Sequence, residues 1–111
     1  MSALTTHVLD TARGVPASGV PLRLEISDGE GWREVGSGVT DGDGRCAGLM
    51  EGPLKRTVYR MTFETDVYWG QHGEVGFYPY AQIVFRVLDP EDHHHVPLLL
   101  SPFGYSTYRG S

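Results

Sequence analysis

Apolar and polar residues alternate along most of this chain with the period of a β-strand. Val20, Leu22, Leu24 and Ile26 alternate with Pro21, Arg23, Glu25 and Ser27, and Tyr59, Met61 and Phe63 alternate with Arg60, Thr62 and Glu64. Residues two apart share one face of an extended strand, so each run predicts a strand with one buried and one solvated face. Residues 82–88 are rich in β-branched and aromatic side chains and predict another. Shorter candidates cover residues 4–10, 32–39, 45–50, 93–100 and 105–109, about eight strands in all.

Turn residues separate these runs. Arg13-Gly14-Val15-Pro16 through Gly19 joins the first two strands, Asp28-Gly29-Glu30-Gly31 the next two, and Asp41-Gly42-Asp43-Gly44 the third and fourth. Residues 66–73 alone have a helical character, a two-turn helix that Asp66 would cap and Gly73 would end. Many short strands with frequent turns predict an all-β fold, an antiparallel β-sandwich. Pro97 qualifies one element: it lacks an amide donor, so the strand over 93–100 should lie at an edge or carry a bulge there.

Composition narrows the classes without choosing a function. The chain's 111 residues correspond to a single domain over 1–111, with room for one modest core. A formal charge of −5 and no Lys/Arg stripe speak against a nucleic-acid partner. No apolar run approaches a membrane span, and Met1–His7 has neither the basic start nor the apolar stretch of a signal peptide. Cys46 is the only cysteine, so no intrachain disulfide forms. These features fit a cytoplasmic protein.

The candidate chemistry centres on histidine. If residues 93–100 form a strand, His93 and His95 project from one face and His94 from the other, while His7 faces outward wherever Val8 packs inward. From spacing alone three readings stand: solvated surface histidines, a metal site built from His7, His93 and His95, and acid–base imidazoles. Arg45, just after the Asp41–Gly44 turn, is either an exposed charge or a fork of donors for a planar anion. That turn is not a calcium loop, because its fifth position is Arg45 and its twelfth is Gly52. Ser101, Ser106 and Ser111 lack a G-x-S-x-G elbow, which argues against a serine-hydrolase triad.

Two longer segments carry a family resemblance. Leu4-Thr5-Thr6-His7-Val8-Leu9-Asp10-Thr11 with Gly14-Val15-Pro16-Ala17 resembles the N-terminal signature of transthyretin-like proteins. His95-Val96-Pro97-Leu98-Leu99-Leu100-Ser101-Pro102-Phe103-Gly104-Tyr105 and the residues up to Ser111 resemble the C-terminal one. Thr40–Arg45 and Phe77-Tyr78-Pro79 follow in the family's order. The closing Tyr108-Arg109-Gly110-Ser111 resembles the tail of the family's hydrolase branch, which its hormone carriers lack. Where that branch usually has His-Tyr-His, this chain has His93-His94-His95.

The resemblance implies two four-stranded sheets with one short helix, assembled as a homotetramer with sites where subunits meet. It implies hydrolysis of a small molecule, 5-hydroxyisourate, to 2-oxo-4-hydroxy-4-carboxy-5-ureidoimidazoline in urate breakdown, with no metal and no cofactor. It assigns catalysis to His7, Arg45, His95 and Ser111, and substrate binding to Tyr108, Arg109, Gly110 and His93. The competing reading is a small-ligand binding protein on the same fold. A pocket of His7, Arg45 and His95 is polar and cationic, unsuited to an apolar ligand without anionic groups.

Overall fold

The computed structural model describes residues 3–111. In chain order the elements are β1 (Leu4–Asp10), β2 (Val15–Pro16), β3 (Pro21–Ser27), β4 (Trp32–Val39), β5 (Val58–Phe63), α1 (Thr65–Gln71), β6 (Ala81–Arg86), β7 (His94–Ser101) and β8 (Gly104–Thr107). They build two four-stranded sheets, ordered β2-β1-β7-β8 and β4-β3-β5-β6. All neighbouring strands run antiparallel except β1 and β7, which run parallel across nearly the whole chain length.

The alternation predicts the core. Leu22, Leu24 and Ile26 of β3 and Tyr59, Met61 and Phe63 of β5 are buried, facing Leu4 and Val8 of β1 and Val96, Leu98 and Leu100 of β7 within one cluster. Tyr68 and Trp69 of α1 are buried as well. The Tyr68 hydroxyl donates to the Asp10 carboxylate at 2.6 Å, and Asp10 also accepts from the Ala12 and Arg13 amides and the Arg13 guanidinium. Arg13 reaches on to Glu74 beyond the helix. A buried carboxylate persists only when its lone pairs are taken up in this way. Among the described residues no helix is long and apolar enough to cross a membrane.

Three expectations need correction. Residues 45–50 form no strand: Arg45 makes a single bridge to His7, and the rest is turns. The segment packs across β4 instead, burying Cys46 and Leu49, and a Cβ at Gly36 would collide with the Leu49 carbonyl. The helix begins one residue early. Glu64 is its N-cap without a side-chain cap bond, Asp66 sits in the first turn, and Gly73 follows the C-cap at φ +68°. Pro97 lies in a central strand, yet pairing with β8 starts only at Leu98 opposite Thr107. The Pro97 carbonyl takes its bond from the Thr107 hydroxyl at 2.7 Å, so β7 is locally an edge where the amide is missing.

Candidate active site

The site is set by strand register. The parallel pairing of β1 with β7 places Thr5 opposite His95 and His7 opposite Pro97. In β1, Leu4, Thr6, Val8 and Asp10 are buried, while Thr5, His7 and Leu9 are half-exposed on the outer face. In β7, His94 turns inward and is buried, with its Nδ1 2.9 Å from the Asp92 carbonyl, and His95 turns outward. The histidine run therefore splits as the strand period requires, and His93, one residue before β7, is exposed on the side of His95.

Arg45 arrives through the Asp41–Gly44 turn. The Asp41 carboxylate accepts the amides of Asp43 at 2.9 Å and Arg45 at 3.1 Å, and the Asp41 amide donates to the Arg45 carbonyl at 2.7 Å. The Val8 amide then donates to the Gly44 carbonyl at 2.8 Å, stapling the turn to β1. Gly44 has φ +75°, and a Cβ there would strike the Val8 carbonyl, so only glycine closes this staple without strain. The result is the isolated bridge between Arg45 and His7. The two acidic residues that resembled a cation loop are thus turn chemistry that delivers a cationic side chain.

The tail closes the other side. The Gly110 amide donates to the His95 carbonyl at 2.9 Å, and a Cβ at Gly110 would overlap the His95 ring. Tyr108 is exposed, and Arg109 lies 3.9 Å from the Asp92 carboxylate. Ser111, one residue past the bridge, is exposed. A cavity of about 390 Å³ opens beside Thr5 and Arg45, and a second, between β6 and the start of β7, is lined by His94, His95, Tyr108 and Arg109 among others. His7, Arg45, His95 and Gly110 are brought together directly. Tyr108, Arg109, Ser111 and His93 stand at the rim.

Burial holds the His95 ring below the usual histidine pKa, and the Arg45 guanidinium, His7 and His93 push the same way. A hydrogen bond to the Thr5 backbone is the smallest effect and opposes them. His95 is therefore a neutral imidazole at pH 7, beside a permanent cation. Such a pair can accept a proton at one centre and hold negative charge at the other. Among the described residues no group of three or more His, Cys, Asp or Glu is arranged to hold a metal ion. Sequence reasoning missed Thr5, whose hydroxyl lies 2.8 Å from His95 Nδ1 and 2.9 Å from His93 Nε2. Its place on the outward face, two residues from His7, was the available signal.

The pattern of the HIUase/Transthyretin family matches residues 4–110. This chain belongs to that family. Its relatives include the 5-hydroxyisourate hydrolase of Mus musculus, 47% identical and covering 99% of this chain and 96% of that one. Among solved structures, the Klebsiella pneumoniae 5-hydroxyisourate hydrolase is 39% identical at a TM-score of 0.85, covering 97% of this chain and 98% of that one. Sea bream transthyretin in complex with thyroxine is 35% identical at a TM-score of 0.91, covering 98% of this chain and 95% of that one. One backbone thus serves a hydrolase and a thyroxine-bound structure, so within the HIUase/Transthyretin family the side chains on the outer face must decide between them.

Proposed function

We propose that this protein hydrolyses 5-hydroxyisourate, opening its six-membered ring to give 2-oxo-4-hydroxy-4-carboxy-5-ureidoimidazoline. The observation that carries this reading is the gathering of His7, Arg45 and the Gly110 tail around His95 on one sheet face. Extensive likeness to hydrolases such as that of Mus musculus supports it.

Each residue has a task. His95 takes a proton from water through its unprotonated ring nitrogen, and the hydroxide oxygen adds to a ring carbonyl carbon. Arg45 holds the electron-rich ring and offsets the charge that builds on the carbonyl oxygen. His7 helps place the water, and the proton held on His95 passes to the nitrogen as the carbon–nitrogen bond breaks. One water is consumed, and neither a metal nor an organic cofactor takes part in this scheme. Positioned acid–base groups contribute about 10²–10⁴-fold each. Tyr108, Arg109, Gly110 and Ser111, with His93 at the mouth, shape the pocket, and Ser111 adds a hydrogen bond to substrate or water. The polar, cationic lining disfavours the alternative of a carrier for an apolar ligand.

The proposed unit is one domain over 1–111, acting in the cytoplasm, where a free and buried Cys46 thiol is at home. Its proposed assembly is a homotetramer with sites at subunit interfaces. In support, Leu9 and Leu99 share the outer face with His7 and His95. Phe77, Tyr78, Phe103 and Tyr105 are exposed beside it, with Tyr78 packed edge-on to Phe77 and Tyr105. Exposed apolar groups at this density favour association.

The test is the ultraviolet decay of 5-hydroxyisourate generated in situ by urate oxidase. Decay well above the spontaneous rate, unaffected by chelator and lost in His7→Ala, Arg45→Ala and His95→Ala, is expected. Spontaneous decay with folded protein overturns the hydrolase reading. Wild-type turnover in all three variants overturns the site.

A further inference from the structure

We propose that Thr5 is a positioning residue that fixes the proton of His95 on Nδ1 and couples that ring, through the Thr5 hydroxyl, to His93. The inference rests on the reading of His95 as the base and deepens it, because it says which ring nitrogen acts and what holds it. Thr5 lies opposite His95 in the register of β1 and β7, so the contact is built into the sheet. Its Oγ1 sits 2.8 Å from His95 Nδ1 and 2.9 Å from His93 Nε2, both within hydrogen-bonding distance.

Counting protons restricts the two bonds. A threonine hydroxyl has one hydrogen to give and lone pairs to receive. It can donate to one of the two ring nitrogens and must accept from the other. The proposed direction runs from His95 Nδ1–H to Thr5 Oγ1 and from Thr5 O–H to His93 Nε2, the arrangement that leaves His95 Nε2 unprotonated as a base requires.

This leaves His95 Nε2 with its lone pair free, and Nε2 is the atom that takes the proton from water. When it does, the ring becomes a cation and its Nδ1–H bond to Thr5 strengthens. The Thr5 hydroxyl polarises toward His93 without giving up its proton. Arg45 and His7 also face the His95 ring and oppose its charging, so a neutral relay is the support left to it. Hydrolases that use a carboxylate for this task lose up to about 10⁴-fold when the tautomer is wrong. A neutral hydroxyl provides a smaller share of the same support.

Thr5→Val removes the hydroxyl at nearly constant shape, and Thr5→Ser restores it. In protein carrying ¹⁵N-labelled histidine, nitrogen–proton correlation spectra at pH 7.5, about one unit above the usual histidine pKa, read the tautomer directly. Wild type and Thr5→Ser are expected to hold His95 as Nδ1–H, and Thr5→Val to shift it toward Nε2–H at an unchanged melting temperature. Thr5→Val should lower kcat about 10–100-fold with KM within about threefold, and Thr5→Ser should recover most of that loss. A wild-type His95 already protonated on Nε2, or a Thr5→Val protein that keeps Nδ1–H or full kcat, overturns the positioning role. Full turnover in His95→Ala overturns the base assignment instead, a result the tautomer spectra would not produce.

Discussion

Gly44→Ala tests whether the Asp41–Gly44 turn exists to deliver Arg45. Two costs act at this position. An alanine at φ +75° sits in the left-handed region, a penalty of about 1–2 kcal/mol. Its Cβ also overlaps the Val8 carbonyl, which is pinned by the Ala17 amide at 2.9 Å and cannot move as a side-chain tip could. Relieving that overlap by shifting backbone costs about another 1–3 kcal/mol. The sum of about 2–5 kcal/mol is a sizeable share of a typical domain's 5–15 kcal/mol. It corresponds to a melting temperature lower by about 8–20 °C for a chain of this size. The turn's own relief is to lift from β1, which breaks the Val8–Gly44 bond and carries Arg45 away from His7. Loss of a charge-stabilising donor raises the barrier by about 3–4 kcal/mol, so turnover at a temperature where the variant is folded should fall about 10²-fold or more. Gly42→Ala is the control in the same turn: it has no positive φ and no atom within 4 Å of a new Cβ, and should stay within about 0.5 kcal/mol of wild type. Calorimetry and the ultraviolet decay assay, run on both variants, decide the matter. Equal melting temperatures and equal turnover for the two alanines would refute the role given to Gly44.

The other expectations concern charge and burial. The folded pKa of His95 lies below its unfolded value, so the ring stays neutral below pH 6.5, and the stability linked to it is present above 6.5 and lost as pH falls through the folded value. Arg45→Gln removes one of the groups opposing protonation and should move the His95 titration toward 6.5 in a nuclear magnetic resonance pH series; an unmoved titration contradicts the electrostatic account. Tyr68→Phe deletes the 2.6 Å bond to the buried Asp10 carboxylate and should cost about 1.5–3 kcal/mol in urea unfolding. Burial pushes the Tyr68 hydroxyl up to about 12, and the bond to Asp10 adds to this, so the wild type should lose stability as pH rises from 10 to 12 and the phenylalanine variant should not. Asp10 is held below 3.8 despite burial, chiefly by the Tyr68 hydroxyl and by Arg13, so its contribution is present above 3.8 and lost below it, and acid unfolding of Tyr68→Phe should begin at a higher pH. Cys46→Ser should leave turnover unchanged while lowering stability by about 1 kcal/mol, and the buried thiol, with its pKa raised by burial and by Asp41, should react slowly with an aromatic disulfide. Rapid labelling of the native protein contradicts the burial assigned to it.

The legible parts of the fold were those governed by period. The alternation over β3 and β5 names their buried residues, and the same rule sends His94 inward and His7 and His95 outward. Residues 45–50 were misread because a strand pattern shows which face is apolar without showing what supplies the hydrogen bonds. There the apolar side chains of Cys46 and Leu49 fill the core from a turn-rich segment lying across β4. Pro97 misled in the opposite sense: a proline excludes a ladder bond on one side only, and β8 stops short of it. The parallel pairing of β1 with β7 joins segments some ninety positions apart, as Thr5 opposite His95 shows, and no local pattern encodes it. Thr5 went unseen for that reason. Its importance comes from a partner on another strand, and threonine on an outward strand face is otherwise unremarkable.

The adjacency of His94 and His95 ties function to register. A slip of one residue in β7 would exchange them, burying the ring beside Arg45 and exposing its neighbour, because successive side chains alternate faces. The register is held by Val96, Leu98 and Leu100 in the core and by the Thr6 hydroxyl, which donates to the Val96 carbonyl at 2.6 Å from inside the sandwich. Inward positions of β1 and β7 thus determine where the outward ones stand, while the outward ones remain free to change without disturbing the core. That division accounts for one backbone serving both a structure bound to thyroxine and a hydrolase in the relatives of this chain. It also means that a substitution at Thr5, His7 or His95 should alter chemistry at little cost in stability, whereas one at Thr6 or Val96 should alter both, because it loosens the register on which the site depends.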